Sequence, residues 1–176
     1  MSRWEPVLTD LVRYRAGSLL RYATFLCGDQ REAEDLVQDA LVKAFTVMRR
    51  PHSGGPDDVG ALEHAEAYVR RTVLNLYIDG YRRRRRWVAV RHLLGGEDWT
   101  AGPDQASAER LDLDSALAAL PPRQRACVVL RFYADLTVEQ IADDLGVTTG
   151  TVKRHLHDAN ASLAKSLAFT AEEESA

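Results

Sequence analysis

The stretch LTVEQIADDLGVTTGTVKRHLHDANASL, residues 136–163, contains the start and stop signals of two helices joined by a short turn. Thr137 stands in the N-cap position of the first helix, and Gln140 three residues later completes a capping-box pattern. Gly146 marks the turn. Thr148 then caps a second, longer helix. The pattern predicts a helix-turn-helix.

The two helices of this motif have separate inner and outer faces. Apolar residues at helical spacing form the inner face: Ile141, Ala142, Leu145, Val152, Leu156, Ala159 and Leu163. The exposed residues near the start of the second helix are Thr149, Lys153, Arg154 and His157. In a helix-turn-helix this end of the second helix enters the major groove of DNA. An ordinary helical hairpin is the alternative, but the small residue at the helix crossing, the glycine turn and the basic front favour DNA.

The sequence before the motif also has a helical pattern. Residues 4–26 carry a broad apolar stripe, and CGDQREAEDLVQDALVKAF, residues 27–45, opens a second helix. Asp29 can cap this helix, with Glu32 in the capping-box position. Its apolar positions repeat with a period of about 3.6 residues. The opposite face is largely acidic and consists of Arg31, Glu34, Asp35, Gln38 and Asp39.

Prolines and glycines divide the rest of the chain. They predict a loop over residues 49–60, followed by a third helix from about Glu63 into a run of arginines. The expected core positions of this helix are Val69, Val73, Leu76 and Tyr77. Residues 88–107 show turn residues, acids and no helical period, so we predict a linker there. The predicted fold is all-α, with helical domains over residues 1–87 and 108–170 joined by a flexible acidic linker.

Charge is distributed unevenly along the chain, whose net charge is −3. Residues 70–91 hold eight arginines and one acid, whereas residues 92–114 hold six acids and one base. A basic stripe of this density is typical of a protein that binds a polyanion. The alternative is a solvated charged face, but Tyr77, Tyr81 and Trp87 flank the arginines, and aromatic rings among cations suit nucleic acid.

Composition excludes several classes of function. No run in the 176 residues approaches the roughly 20 apolar residues of a membrane span, and the N-terminus lacks a signal-peptide core, so we expect a cytoplasmic protein. Two reduced cysteines fit this compartment better than one disulfide. The five histidines and two cysteines show no convincing metal-ligand spacing, and no nucleophile or phosphate-loop motif is present. We therefore expect no enzyme activity, no metal and no cofactor.

Three stretches together resemble the bacterial sigma factors of the extracytoplasmic-function (ECF) group, in the sigma-70 family. REAEDLVQDALVKAF, residues 31–45, is similar to the polymerase-binding helix of the first sigma domain. AYVRRTVLNLYIDGYRRRRR, residues 67–86, is similar to the helix that melts the promoter and reads its minus-ten element. ALAALPPRQRACVVLRFYADLTVEQIADDLGVTTGTVK, residues 116–153, is similar to the second sigma domain.

The resemblance implies a protein that binds core RNA polymerase and directs transcription initiation at the promoters of a specific regulon. Asp35, Leu36, Gln38 and Asp39 would then face the coiled-coil helices of the largest polymerase subunit. Promoter DNA and a separate anti-sigma factor are the other implied partners. The acidic linker would extend toward the active-site cleft of the polymerase.

The resemblance also assigns DNA contacts. Asn75 and Asp79, with the loop over residues 51–62, would form a pocket for a flipped base of the minus-ten element. The arginines expected to hold phosphates just upstream are Arg82, Arg83, Arg84, Arg85 and Arg86. The minus-35 element would be read by Thr149, Lys153, Arg154 and His157. Asp158 stands where the family commonly has a cation, and the 51–62 loop is rich in glycine and proline.

Two other functions fit parts of the sequence. A stand-alone helix-turn-helix regulator that binds duplex DNA as a dimer would leave the acidic face of the second helix and the arginine run unexplained. An adaptor that binds polymerase or a sigma factor without reading DNA would leave the basic stripe unexplained. Binding to core polymerase, followed by transcription from a promoter, separates the three possibilities.

Overall fold

The computed structural model describes residues 4–48, 60–93 and 111–173. These residues form seven helices, as expected for an all-α fold. The helices are α1 (Trp4–Cys27), α2 (Gln30–Met48), α3 (Ala61–Leu93), α4 (Leu111–Ala119), α5 (Pro122–Phe132), α6 (Val138–Leu145) and α7 (Thr149–Glu173). No helix in these ranges combines the length and the apolar character that a membrane crossing requires.

Helices α1, α2 and α3 pack on one another and form the N-terminal body. The turn from α1 to α2 uses Gly28 in a left-handed conformation, with φ of +77°. Asp29 then caps α2, because its Oδ1 accepts a hydrogen bond from the backbone N–H of Glu32 over 2.7 Å. The buried residues of this body include Leu11, Leu19, Tyr22, Leu26, Val37, Ala40, Val69, Val73, Leu74 and Tyr77.

Helices α4 to α7 form the C-terminal body, in which α7 packs against each of the other three. Arg125 of α5 is buried in this body, and among the described residues no other charged side chain is buried. The Arg125 guanidinium donates hydrogen bonds to the backbone oxygens of Ala118 and Leu120, at the end of α4. These bonds satisfy carbonyls that the helix itself leaves without partners.

Helix α3 is longer at both ends than the sequence pattern predicts. It begins at Ala61, so the last two residues of the predicted 51–62 loop are helical. It continues to Leu93, and residues 88–93 therefore belong to the helix and not to the predicted 88–107 linker. The physical reason at the C-terminal end is that no glycine or proline lies between Gly80 and Gly95. The remainder of both predicted segments lies outside the described residues.

Candidate nucleic-acid interface

Local hydrogen bonds fix the turn between α6 and α7. The Thr137 N–H donates to Gln140 Oε1 over 2.8 Å, and the Gln140 N–H donates to Thr137 Oγ1 over 3.3 Å, which is a complete capping box. Gly146 ends α6 with φ of +62°. Thr148 Oγ1 accepts from the Thr151 N–H over 3.2 Å and caps α7. The predicted helix-turn-helix is confirmed.

The N-terminal half of α7 presents a polar and basic face to solvent. Val152 and Ala159 are fully buried on its inner side, where Leu156 is half-buried. The residues predicted to contact DNA are exposed: Thr149, Lys153, Arg154 and His157. This arrangement leaves hydrogen-bond donors free at the end of the helix that enters a major groove in motifs of this kind.

His155 lies beside this face, but its side chain is half-buried, whereas Lys153, Arg154 and His157 are exposed. Burial, and then the charges of Arg154 and Arg123, lower the pKa of His155. Its imidazole is therefore neutral at pH 7, and Nδ1 has no hydrogen-bond partner among the described residues. The positive charge of the face comes from Lys153 and Arg154.

One side of α3 carries exposed polar side chains spaced three or four residues apart, which places them in a line along the helix. We call this line the α3 stripe; its members are Arg71, Asn75, Asp79, Arg82 and Arg86. Buried Val69, Val73 and Tyr77 lie on the opposite side of the helix. Arg82 Nη1 lies 3.7 Å from Asp79 Oδ1, so a carboxylate within the stripe is already paired with a cation.

The five consecutive arginines do not share one environment. Arg84 lies nearly opposite the α3 stripe, at 100° of rotation per residue, and its Nη1 donates to Glu32 Oε1 of α2 over 2.7 Å. Arg83 is exposed at the edge of the stripe. The side chain of Arg85 lies outside the described part of the structure. One predicted phosphate-binding arginine is therefore already paired with a carboxylate of the same chain.

The outer face of α2 is acidic and exposed, as predicted. Asp35, Gln38 and Asp39 lie on this face, whereas Leu36 is half-buried and packs against the core. Val42 follows the three polar residues on the same face and is 60% exposed. An exposed apolar residue beside carboxylates adds contact area that charge alone does not provide.

Both cysteines are free thiols. Cys127 is buried in α5, and the half-buried thiol of Cys27 lies 3.1 Å from the backbone oxygens of Ala23 and Asp29. Burial raises the pKa of each thiol from 9.0 to about 11. Within the described ranges, no three His, Cys, Asp or Glu side chains come together as metal ligands.

Sequence reasoning missed Arg71 and Val42. Arg71 lies one helical turn before Asn75, so the spacing that places Asn75 and Asp79 on one face also predicts its position. Val42 was missed because the apolar period of α2 predicts which residues are buried and does not identify an apolar residue that is exposed on the outer face. Its exposure depends on how α1 and α3 cover α2, which is a tertiary property.

Two family sequence models match the chain. The model of Sigma-70 region 2 matches residues 11–87, which include the acidic face of α2 and the α3 stripe. The model of Sigma-70, region 4 matches residues 116–165, which include the helix-turn-helix. The two matches occur in this order on one chain.

Curated proteins and a solved structure are similar over most of the chain. The RNA polymerase sigma-E factor of Streptomyces avermitilis is 34% identical over 158 residues, which cover 90% of this chain and 83% of the relative. The ECF RNA polymerase sigma factor SigL of Mycobacterium tuberculosis is 34% identical over 150 residues, covering 81% and 78%. The sigma factor RpoE of Bartonella quintana, solved with the anti-sigma factor NepR, superimposes with a TM-score of 0.64, at 25% identity, covering 90% of this chain and 95% of that one.

Proposed function

The chain belongs to the sigma-70 family as an ECF sigma factor, which directs RNA polymerase to promoters, and on that premise we propose which surfaces bind each partner. The observation that carries the proposal is the separation of three exposed surfaces on one chain. These are the acidic face of α2, the α3 stripe and the basic start of α7. We assign the N-terminal body and the C-terminal body to separate domains, with the linker beginning after Leu93.

The acidic face of α2 is the proposed polymerase surface. Asp35, Gln38 and Asp39 carry its polar contacts, and Val42 adds an apolar contact beside them. Complementary charge across an interface accelerates encounter and fixes the register of the two partners. Leu36 supports this face from the core side of the helix and does not present its whole side chain to a partner.

The α3 stripe is the proposed minus-ten surface. Asn75 and Asp79 would contact a base that has left the stack, because both are exposed and lie one helical turn apart. Arg82 and Arg86 extend the same line and would hold phosphates of the adjacent duplex. Arg83 could reach phosphate from the edge of the stripe, and Arg84 would remain bound to Glu32.

The basic start of α7 is the proposed minus-35 surface. Arg154 is the strongest candidate for a base contact, since a guanidinium donates two hydrogen bonds to guanine. Lys153 is better suited to a phosphate, because its ammonium is a point charge on a flexible stem. Thr149 and His157 complete the exposed face. Asp158 is also exposed and would repel phosphate if it lay against the DNA backbone.

We further propose a cytoplasmic location and regulation by a separate anti-sigma factor. Transcription takes place in the cytoplasm of bacteria, and the described helices include no membrane span. The structurally similar RpoE was crystallised with such a partner. Binding of a purified candidate anti-sigma protein, measured by calorimetry, tests the second part of this proposal.

Reconstitution with core RNA polymerase tests the assignment of function. We expect the full chain to bind core polymerase in a pull-down and then to support run-off transcription from a cognate promoter. A stand-alone regulator would bind duplex DNA and neither bind polymerase nor support transcription. An adaptor would bind polymerase without supporting transcription. Either of the last two results would overturn the proposal.

A further inference from the structure

Asp158 is an exposed carboxylate on α7, one helical turn after Arg154. It stands where the family commonly has a cation. A cation on this side of the helix attracts the phosphates of DNA, whereas a carboxylate repels them. Asp158 therefore cannot take over the role of that cation, and its position on the helix decides which group of the DNA it meets.

Asp158 lies on nearly the same side of α7 as Arg154. The four residues between their positions separate them by about 40° around the helix and about 6 Å along it. Both are exposed, and both lie more than about 90° from the buried residues Val152 and Ala159. Lys153 lies about 100° from Arg154 in the other direction. When Arg154 faces base edges, Asp158 therefore faces into the groove as well, whereas Lys153 faces its wall.

Small exposed residues on this side of α7 let a short side chain come close to a base. Gly150 and Ala161 are both exposed and lie within about 40° of Arg154 around the helix. A Cβ added at Gly150 would meet only Thr148 Oγ1, at 3.9 Å, so packing inside the protein does not require a glycine there. Residues without bulk permit close approach of the backbone to a ligand, and the short side chain of Asp158 needs such an approach.

The Asp158 carboxylate is not neutralised within the described part of the chain. No ion pair there includes Asp158 or Arg154. Burial and then the charge of Arg154 lower the pKa of the nearby His155, and the charge of Asp158 opposes them only in part, so His155 remains neutral at pH 7. The carboxylate of Asp158 therefore keeps its full capacity to accept hydrogen bonds.

Cytosine is the base that suits a carboxylate in the major groove. Its N4 amino group donates a hydrogen bond, whereas guanine and thymine present only acceptors there. Adenine combines its donor with the acceptor N7, a pattern that suits an amide side chain better. The separation of about 6 Å between Asp158 and Arg154 along α7 corresponds to no more than about two base steps of about 3.4 Å each.

We propose that Asp158 is a specificity-determining residue, which accepts a hydrogen bond from the N4 amino group of a cytosine in the minus-35 element. This cytosine lies within about two base pairs of the guanine that Arg154 contacts. The proposal rests on the proposed function, because it takes the basic start of α7 as the minus-35 surface. Asp158 contributes discrimination and not general affinity, since its charge weakens binding to every sequence that lacks the cytosine.

Selection from a promoter library tests the base preference. The full chain with core polymerase is mixed with templates randomised over both promoter elements, and the bound templates are sequenced. We expect the unchanged chain to prefer cytosine at one minus-35 position by at least about fivefold, and Asp158→Ala to remove that preference. Asp114→Ala removes an exposed carboxylate from α4 of the same body and should leave both elements unchanged.

Two results of this selection would overturn the role of Asp158. One is an unchanged minus-35 preference for Asp158→Ala, and the other is an even gain in binding across the library, which indicates general repulsion of phosphates. Failure of the proposed function is distinguishable from failure of this proposal. If Arg154→Ala relaxes one minus-35 position and Asp158→Ala relaxes none, only the role of Asp158 is wrong. If neither variant changes the minus-35 element, the assignment of the α7 surface is wrong.

A cytosine analogue tests the atom that Asp158 contacts. The 2-pyrimidinone deoxyriboside lacks the N4 amino group and replaces the preferred cytosine in a selected promoter duplex. With core polymerase, we expect the analogue to weaken binding of the unchanged chain several-fold more than binding of Asp158→Ala. The altered base pairing affects both proteins alike, so the difference between them isolates the contact. Equal weakening of the two proteins would overturn the proposal.

Discussion

Arg84 donates a hydrogen bond to Glu32 over 2.7 Å and thereby connects α3 to α2, although it belongs to an unbroken run of arginines. Glu32 is also the residue whose backbone N–H is bound by the cap of α2 at Asp29. The pair therefore lies where two helices of the N-terminal body meet. The arginine run serves the structure of the protein as well as its DNA-binding surface.

The first prediction compares Arg84 with Arg86. Arg84→Ala should lower the free energy of unfolding by up to about 1 kcal/mol, because its ion pair is partly exposed to solvent. It should not change the salt dependence of promoter binding. Arg86→Ala should leave stability unchanged and reduce the slope of log affinity against log salt by about 0.9. Urea unfolding measures the change in stability, and salt titration of the promoter complex measures the change in slope. A changed slope for Arg84→Ala together with a loss of stability for Arg86→Ala would contradict the separate roles of the two arginines.

The second prediction concerns the acidic face of α2. Asp35→Arg with Asp39→Arg should abolish binding to core polymerase, since reversed charges at a complementary interface cost several kcal/mol. Stability should change by about 0.5 kcal/mol or less per residue, because both side chains are exposed. Asp10→Arg with Asp114→Arg makes the same change of net charge at exposed positions elsewhere. Tight polymerase binding by the first variant, with its circular dichroism unchanged, would show that the surface is misassigned.

The third prediction uses two glycines with opposite expected effects. Gly146→Ala should destabilise the protein by about 1 kcal/mol, since φ of +62° is unfavourable for a residue with a Cβ. Gly150→Ala should stabilise it by up to about 0.5 kcal/mol, because Gly150 has helical backbone in the first turn of α7 and its added Cβ meets only Thr148 Oγ1 at 3.9 Å. Thermal unfolding of the two full-length variants checks both signs. The same sign for both would contradict the assigned backbone geometry.

The fourth prediction concerns alkaline pH. Burial raises the pKa of Cys27 and of Cys127 from 9.0 to about 11, so an unfolded chain loses these protons at lower pH than the folded chain does. The free energy of unfolding should therefore be unaffected by the thiols below pH 9 and fall as pH rises from 9 to 11. Urea unfolding in reductant at intervals of one pH unit measures the fall. Cys27→Ser with Cys127→Ala should reduce it between pH 9 and pH 10, and an unchanged profile would contradict the burial of the thiols.

Features of the fold that depend on residues close together in sequence could be predicted from the sequence. The cap at Thr137, the turn at Gly146 and the buried position of Val152 depend on residues a few places apart, and all three were confirmed. The extension of α3 to Leu93 was not predicted, because residues 88–93 are few and are followed directly by the glycines and acids that begin at Gly95.

Contacts between distant residues could not be predicted in this way. The rotation of α3 predicts that Arg84 turns away from Asn75, but only the folded chain places Glu32 there. The hydrogen bond from Arg125 to Leu26 joins the two bodies. Their relative position cannot be predicted from any local sequence pattern. The sequence therefore predicts each surface separately and not the contact between the bodies.

The most direct test of the division into a minus-ten and a minus-35 surface is run-off transcription from a randomised promoter library, read by sequencing the transcribed templates. With core polymerase, we predict that Asn75→Ala changes the preferred sequence of the minus-ten element only. Arg154→Ala should relax one position of the minus-35 element only, where a bidentate arginine contributes about 1–3 kcal/mol of discrimination. Lys153→Ala should lower yield without changing either element. If Asn75→Ala and Arg154→Ala changed the same element, or neither changed any, the assignment of the two surfaces would be wrong.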